Sequence, residues 1–181
     1  MRIVIDKLAV LNPLAKLPDE ETATRAARAG AVGSWLTAVG SVFGAAMIFL
    51  RFETYVGEMR KQILANAAQQ DPAVTQAMLN AIGPTTAWAT IIFTLVLGLV
   101  YLWLGFVQWR RLTRMIPLLM LLLSAYGLLS TLLAYASNKA ATNLTSPAQM
   151  TVSMAMLAVA VLCFIAGLRG GFRLHALRKA G

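Results

Sequence analysis

The sequence predicts an all-α integral membrane protein: a four-helix transmembrane bundle with an amphipathic helical cap between its first two helices. Three observations predict it. Hydrophobic residues make up 59% of the 181-residue chain and charged residues only 13%, with a mean hydropathy of +0.69, beyond the usual range for a water-soluble domain. Four stretches, 31–50, 87–109, 116–136 and 148–168, contain no Asp, Glu, Lys, Arg or His. Each reaches the roughly 20 apolar residues a helix needs to cross a hydrocarbon core. The basic residues, finally, collect between and beyond these stretches, twelve of the sixteen on one predicted side.

The formal charge of +9 raises the question of a nucleic-acid partner, and its distribution argues against one. Arg2, Lys7, Lys16, Arg25 and Arg28 precede the first span; Arg110, Arg111 and Arg114 join the second to the third; Arg169, Arg173, Arg178 and Lys179 follow the fourth. The opposite side holds Arg51, Arg60, Lys61 and Lys139, nearly balanced by Glu53, Glu58 and Asp71. This is the positive-inside pattern, so both termini are expected in the cytoplasm, with a bacterial inner membrane as the expected location. Arg110, Arg111, Arg114, Arg169 and Arg173 are then candidates for binding anionic lipid headgroups on that side.

Residues 1–17 read as an interfacial segment and 18–181 as the transmembrane domain. The stretch MRIVIDKLAVLNPLAK is apolar around much of a helical circumference, carries positive charge and is too short to span, which suits the headgroup region or a docked position on another chain. Asp6 and Lys7 interrupt it too early for a signal peptide. Pro18, Asp19, Glu20 and Glu21 then form a helix start, with acidic groups at the positive dipole end and Arg25 four residues past Glu21. That helix is expected to run on into the first span.

Residues 51–86 are too polar to enter the bilayer and too long for a turn. Phe52, Tyr55, Val56, Met59 and Ile63 recur at helical spacing, giving an apolar stripe that must cover either the outer ends of this bundle or a neighbouring subunit. Phe52, Tyr55, Met59 and Ile63 are the candidate partner-binding residues of this outer cap. Asp71-Pro72 is expected to open a second short helix with Val74, Ala77, Met78 and Ile82 on its apolar side, ended by Gly83-Pro84. Beyond it, the brevity of QWRRLTRMIP predicts an antiparallel hairpin of spans two and three. Pro117 falls in the first turn of span three, where its missing N–H costs little. The last outer loop contains the pattern Asn143-Leu144-Thr145, a glycosylation sequon that matters only in a eukaryotic secretory pathway. Trp88 and Trp109 sit at opposite ends of span two, where an aromatic belt places them.

Within the spans, small residues recur at helical spacing. Gly30, Gly33, Thr37, Gly40, Ser41 and Gly44 gather on one arc of the first; Thr94, Gly98, Tyr101 and Gly105 repeat the theme in the second, and Ser124, Gly127, Thr131 and Ala134 in the third. Association inside a bilayer has no hydrophobic driving force, so close backbone approach must supply it, and small residues permit that approach. Gly33, Thr37, Gly40, Gly44, Thr94, Gly98, Gly105, Ser124, Gly127 and Thr131 are therefore expected to form packing seams facing one another in the bundle. Homodimerisation through Gly40-x-x-x-Gly44 is the alternative.

No catalytic residue, metal ligand set or cofactor is expected. Enzymes and transporters working inside membranes usually need ionisable groups there, and these spans have none. His175, the only histidine, lies in the basic tail, and Cys163, the only cysteine, lies in the fourth span as a small packing residue. With its inside termini and larger first outer segment, the arrangement is similar to that of claudins. Residues 51–86 hold no cysteine and no tryptophan, so the similarity is one of architecture alone. The expected role is a scaffold or accessory subunit that binds lipid and other membrane proteins, or further copies of itself. The alternative is a small oligomeric channel or carrier for a neutral or hydrophobic substrate, lined by Thr94, Tyr101, Ser124, Tyr126 and Thr131.

Overall fold

The computed structural model describes residues 16–66, 72–136 and 147–180. Among them the fold is all-helical: α1 Glu20–Leu50, α2 Phe52–Asn66, α3 Pro72–Arg111, α4 Met115–Ala136 and α5 Pro147–Ala180, with no strands. Three helices are long and apolar enough to cross a membrane: Glu20–Leu50, the Pro84–Arg111 part of α3, and the Ala148–Lys179 part of α5. The third predicted span gives a shorter apolar run, Met115–Ser130, within the 22-residue α4.

α1 begins where the sequence predicts. Asp19 is the N-cap, its Oδ1 accepting from the Thr22 backbone N–H at 2.8 Å and from the Thr22 hydroxyl at 2.8 Å. These bonds hold the Asp19 carboxyl below its ordinary value. Glu21 and Arg25 form the expected ion pair one turn on. The helix then continues through Leu50 without a break.

Two expectations about α3 are corrected. The pair Gly83-Pro84 does not end an outer helix; the chain continues through it as one 40-residue helix. A proline removes one ladder bond and leaves the turns on either side intact. α2 lies alongside this region, with the Phe52 ring 5.4 Å from that of Trp88, one turn beyond the proline. Spans two and three do not pair as a hairpin either. The connection is short, but α3 and α4 scarcely touch, and α4 packs on α5. Leu112, just past the end of α3, has φ 49°. That left-handed residue turns the chain away from α3, and the Leu112 side chain packs against Ala23, Ala27 and Leu174.

α1 is the centre of the arrangement, packed against both α5 and α3, each antiparallel to it. The predicted starts for residues 1–15, the Asp71 cap, the side chains of Val74, Ala77, Met78 and Ile82, and the loop with Asn143-Leu144-Thr145 all lie outside the described residues.

Candidate functional site

The end of the cluster that carries Arg28, Arg110, Arg114 and Arg173 is built from residues with almost no side chain. At the crossing of α1 and α5, a Cβ on Gly167 would lie 2.6 Å from the Gly30 Cα, and one on Gly170 would strike the backbone of Ala27, Ala26 and Ala23. Gly33 faces Phe164, to which a Cβ would come within 2.7 Å. Pro117, fully buried, wedges its ring against Gly30 and Gly167 from the start of α4. The contacts of Gly167 and Gly170 with α1 and that of Pro117 with Gly30 are made by backbone and a closed ring, so they cannot yield by rotating a side chain.

One buried polar side chain ties the same end together. Gln108, fully buried near the end of α3, donates from Nε2 to the Ala27 carbonyl of α1 at 3.0 Å, and its Oε1 accepts from the Thr113 hydroxyl at 3.3 Å. An amide carries no titratable proton near neutral pH, and its bond to the Ala27 carbonyl fixes the register of α1 against α3. Beside it, Trp35 lies on Gly105, stacks on Trp109 at 5.5 Å and meets Phe106 at 5.6 Å. The Arg28 guanidinium sits 5.0 Å above the Trp109 ring.

The predicted seam residues fall into separate groups. Gly33, Gly98 and Gly105 lie at close helix contacts, Gly98 against Ser41 and Ala38. Gly40 has only the Met156 methyl at 3.8 Å; a Cβ on Gly44 or Gly127 would meet nothing within 4 Å. Ser124 is buried and Thr94 half-buried, while the Thr131 side chain lies outside the described residues. The hydroxyls of Ser34, Thr37 and Ser41 donate to the carbonyls of Gly30, Gly33 and Thr37 one turn back in their own helix.

The predicted headgroup residues surround this end without converging. Arg110 and Arg111 are exposed; Arg114 is half-buried with its guanidinium 5.2 Å from the Phe172 ring, and Arg169 is half-buried. Arg173 reaches back to the chain before α1, its Nε donating to the Leu17 carbonyl at 3.0 Å, and Arg178 lies 3.8 Å from Glu20. The C-terminal end of α5 therefore clasps the start of α1. Of the outer-cap residues, Phe52 rests on Trp88 while Tyr55, Met59 and Ile63 are half-buried, and α2 leans on α3 of the same chain.

Sequence reasoning missed Gly167, Gly170, Gly171 and Gln108. Gly167 lies inside the last stretch free of charge and Gly170 and Gly171 just past it, beside Arg169, so all three are open to the same small-residue argument. Gln108 carried the signal of a lone amide at the end of a long apolar run. No protein-family model, curated protein or solved structure matches the chain.

Proposed function

We propose that the chain is a non-catalytic, multi-pass membrane protein that serves as a scaffold or accessory subunit for other membrane proteins. In this reading α4 is the fourth crossing, the basic end faces the cytoplasm of a bacterial cell, and both termini lie on that side. The observation that carries it is the exposed side of α4. Leu119, Leu123, Tyr126 and Ser130 follow one another at helical spacing and are all exposed, Tyr126 at 72%. A phenol and a serine hydroxyl along an apolar helix gain nothing from lipid tails, whereas hydroxylated residues are among those that helix–helix contacts in membranes use. The hydroxyls of α1, bonded to their own backbone, support a packing role over chemistry.

A photo-crosslinking residue placed at Tyr126 in native membranes tests the reading. Adducts of one or a few defined protein masses are expected; adducts to lipid alone would count against it. The channel alternative draws less support, because Tyr101 packs against the core of Met120, Ala160 and Phe164 while Tyr126 lies exposed.

A further inference from the structure

Between α1 and α3 runs an apolar groove of about 600 Å³ whose lining includes Val39, Val42, Leu95, Leu99 and Leu102. Its shape follows from side-chain size. Gly98 brings the two helices together against Ala38 and Ser41, and the larger residues rise on either side of that contact.

The groove does not stop at an apolar end. On α1, Arg28, Trp35, Val39 and Val42 share one face; on α3, Leu95, Leu99, Leu102, Phe106 and Trp109 share another, and Arg110 follows Phe106 by one turn. The aromatic stack of Trp109, Trp35 and Phe106 thus continues the groove toward the basic end, where Arg28 lies on Trp109. From Trp109 to Leu95 the path is roughly 21 Å at 1.5 Å per residue. One leaflet of the hydrocarbon core is about 15 Å deep. Among the described residues, no carboxylate pairs with Arg28 or Arg110. A guanidinium that meets a ring through its face keeps its N–H edges free to fork a phosphate.

We propose that this face is a binding site for one anionic glycerophospholipid, its phosphate on Arg28 and Arg110 and an acyl chain along the aromatic stack into the groove. The site rests on the membrane reading above but not on the scaffold reading. A positive cluster alone attracts any anionic surface; a cluster joined to a groove one leaflet deep selects a headgroup and a tail together.

The test is native mass spectrometry of the detergent-purified chain given phosphatidylglycerol or phosphatidylcholine with identical acyl chains. Both lipids offer the same phosphate, but the choline ammonium of phosphatidylcholine brings a positive charge beside the two guanidiniums, so phosphatidylglycerol is expected to be retained about ten-fold better. Arg28→Gln with Arg110→Gln removes that preference, while Arg178→Gln with Lys179→Gln keeps it. Leu99→Trp, which fills the groove and leaves the arginines in place, lowers phosphatidylglycerol retention by a similar factor, so the test survives if the double arginine variant does not fold. Equal retention of the two lipids by the unaltered chain, a preference that persists in a folded Arg28/Arg110 variant, or phosphatidylglycerol retention unchanged by Leu99→Trp would overturn the site. So would a copy-to-copy disulfide through Leu99→Cys in native membranes, which would make a second chain the occupant. Release of the chain by alkaline carbonate would instead count against the membrane reading itself.

Discussion

At the basic end, Gly30, Gly167 and Gly170 bring α1 and α5 into backbone contact, Pro117 closes the gap from α4, and Gln108 bonds across to Ala27. Toward the other end the same central helix carries Gly44, with nothing near it, and α4 presents Gly127 and Tyr126 outward. The residue types are alike in the two regions; their surroundings differ. A small residue strengthens a helix contact only when a second backbone is there to approach it, and spacing along one helix does not say whether one is.

This comparison is tested most strongly by paired glycine substitutions. Gly170→Leu forces α1 and α5 apart and is expected to destabilise by more than the ~1–3 kcal/mol usual for overpacking, because the obstruction is backbone. Gly44→Leu is expected to change stability by less than about 0.5 kcal/mol. Unfolding by denaturing detergent measures both, and similar losses for the two would erase the distinction between the ends. If Gly44→Leu instead shifts only the oligomeric state, the open end is an interface between chains.

A smaller effect concerns Leu112. Alanine there keeps the left-handed backbone and loses the packing on Ala27 and Leu174; glycine loses the same packing but relieves the backbone. Leu112→Gly should therefore be more stable than Leu112→Ala by about 1 kcal/mol, the reverse of their order inside a helix. Thermal unfolding of the two variants decides it.

Replacing the buried amide should cost about as much. Gln108→Leu retains the volume but leaves the Ala27 carbonyl without its cross-helix donor, and a loss of ~0.6–1.7 kcal/mol is expected, the range of such bonds between membrane helices. The smallest effect lies at Asp19. Its carboxyl is held below the ordinary value by the Thr22 N–H, so the cap contributes fully above pH 3.8 and is lost as the pH falls through the lowered value. Hydrogen-exchange protection of the Thr22 amide should decline only in that acidic range, and Asp19→Asn should abolish the pH dependence while keeping the cap.

Much of the fold was legible in the chain. The Asp19 start and the unbroken α1 follow from local rules, because capping and charge placement act within one turn. The apolar runs of α1, α3 and α5 follow from composition. At the candidate site, Arg110, Gly98 and Gly105 were identifiable, whereas Arg28 was grouped only with the basic N-terminal region. Its place above Trp109 depends on the side-by-side packing of α1 and α3.

The sequence by itself determined which segments are helical, where the charge collects and which positions are small enough for close approach, since each depends on residues a turn or two apart. Only the tertiary structure decided that the helix runs through Pro84, that α4 leaves α3 for α5, and that Gly167 and Gly170 meet a backbone while Gly44 and Gly127 do not. Those outcomes depend on the relative positions of helices far apart in the chain, and a packing contact belongs to two surfaces at once.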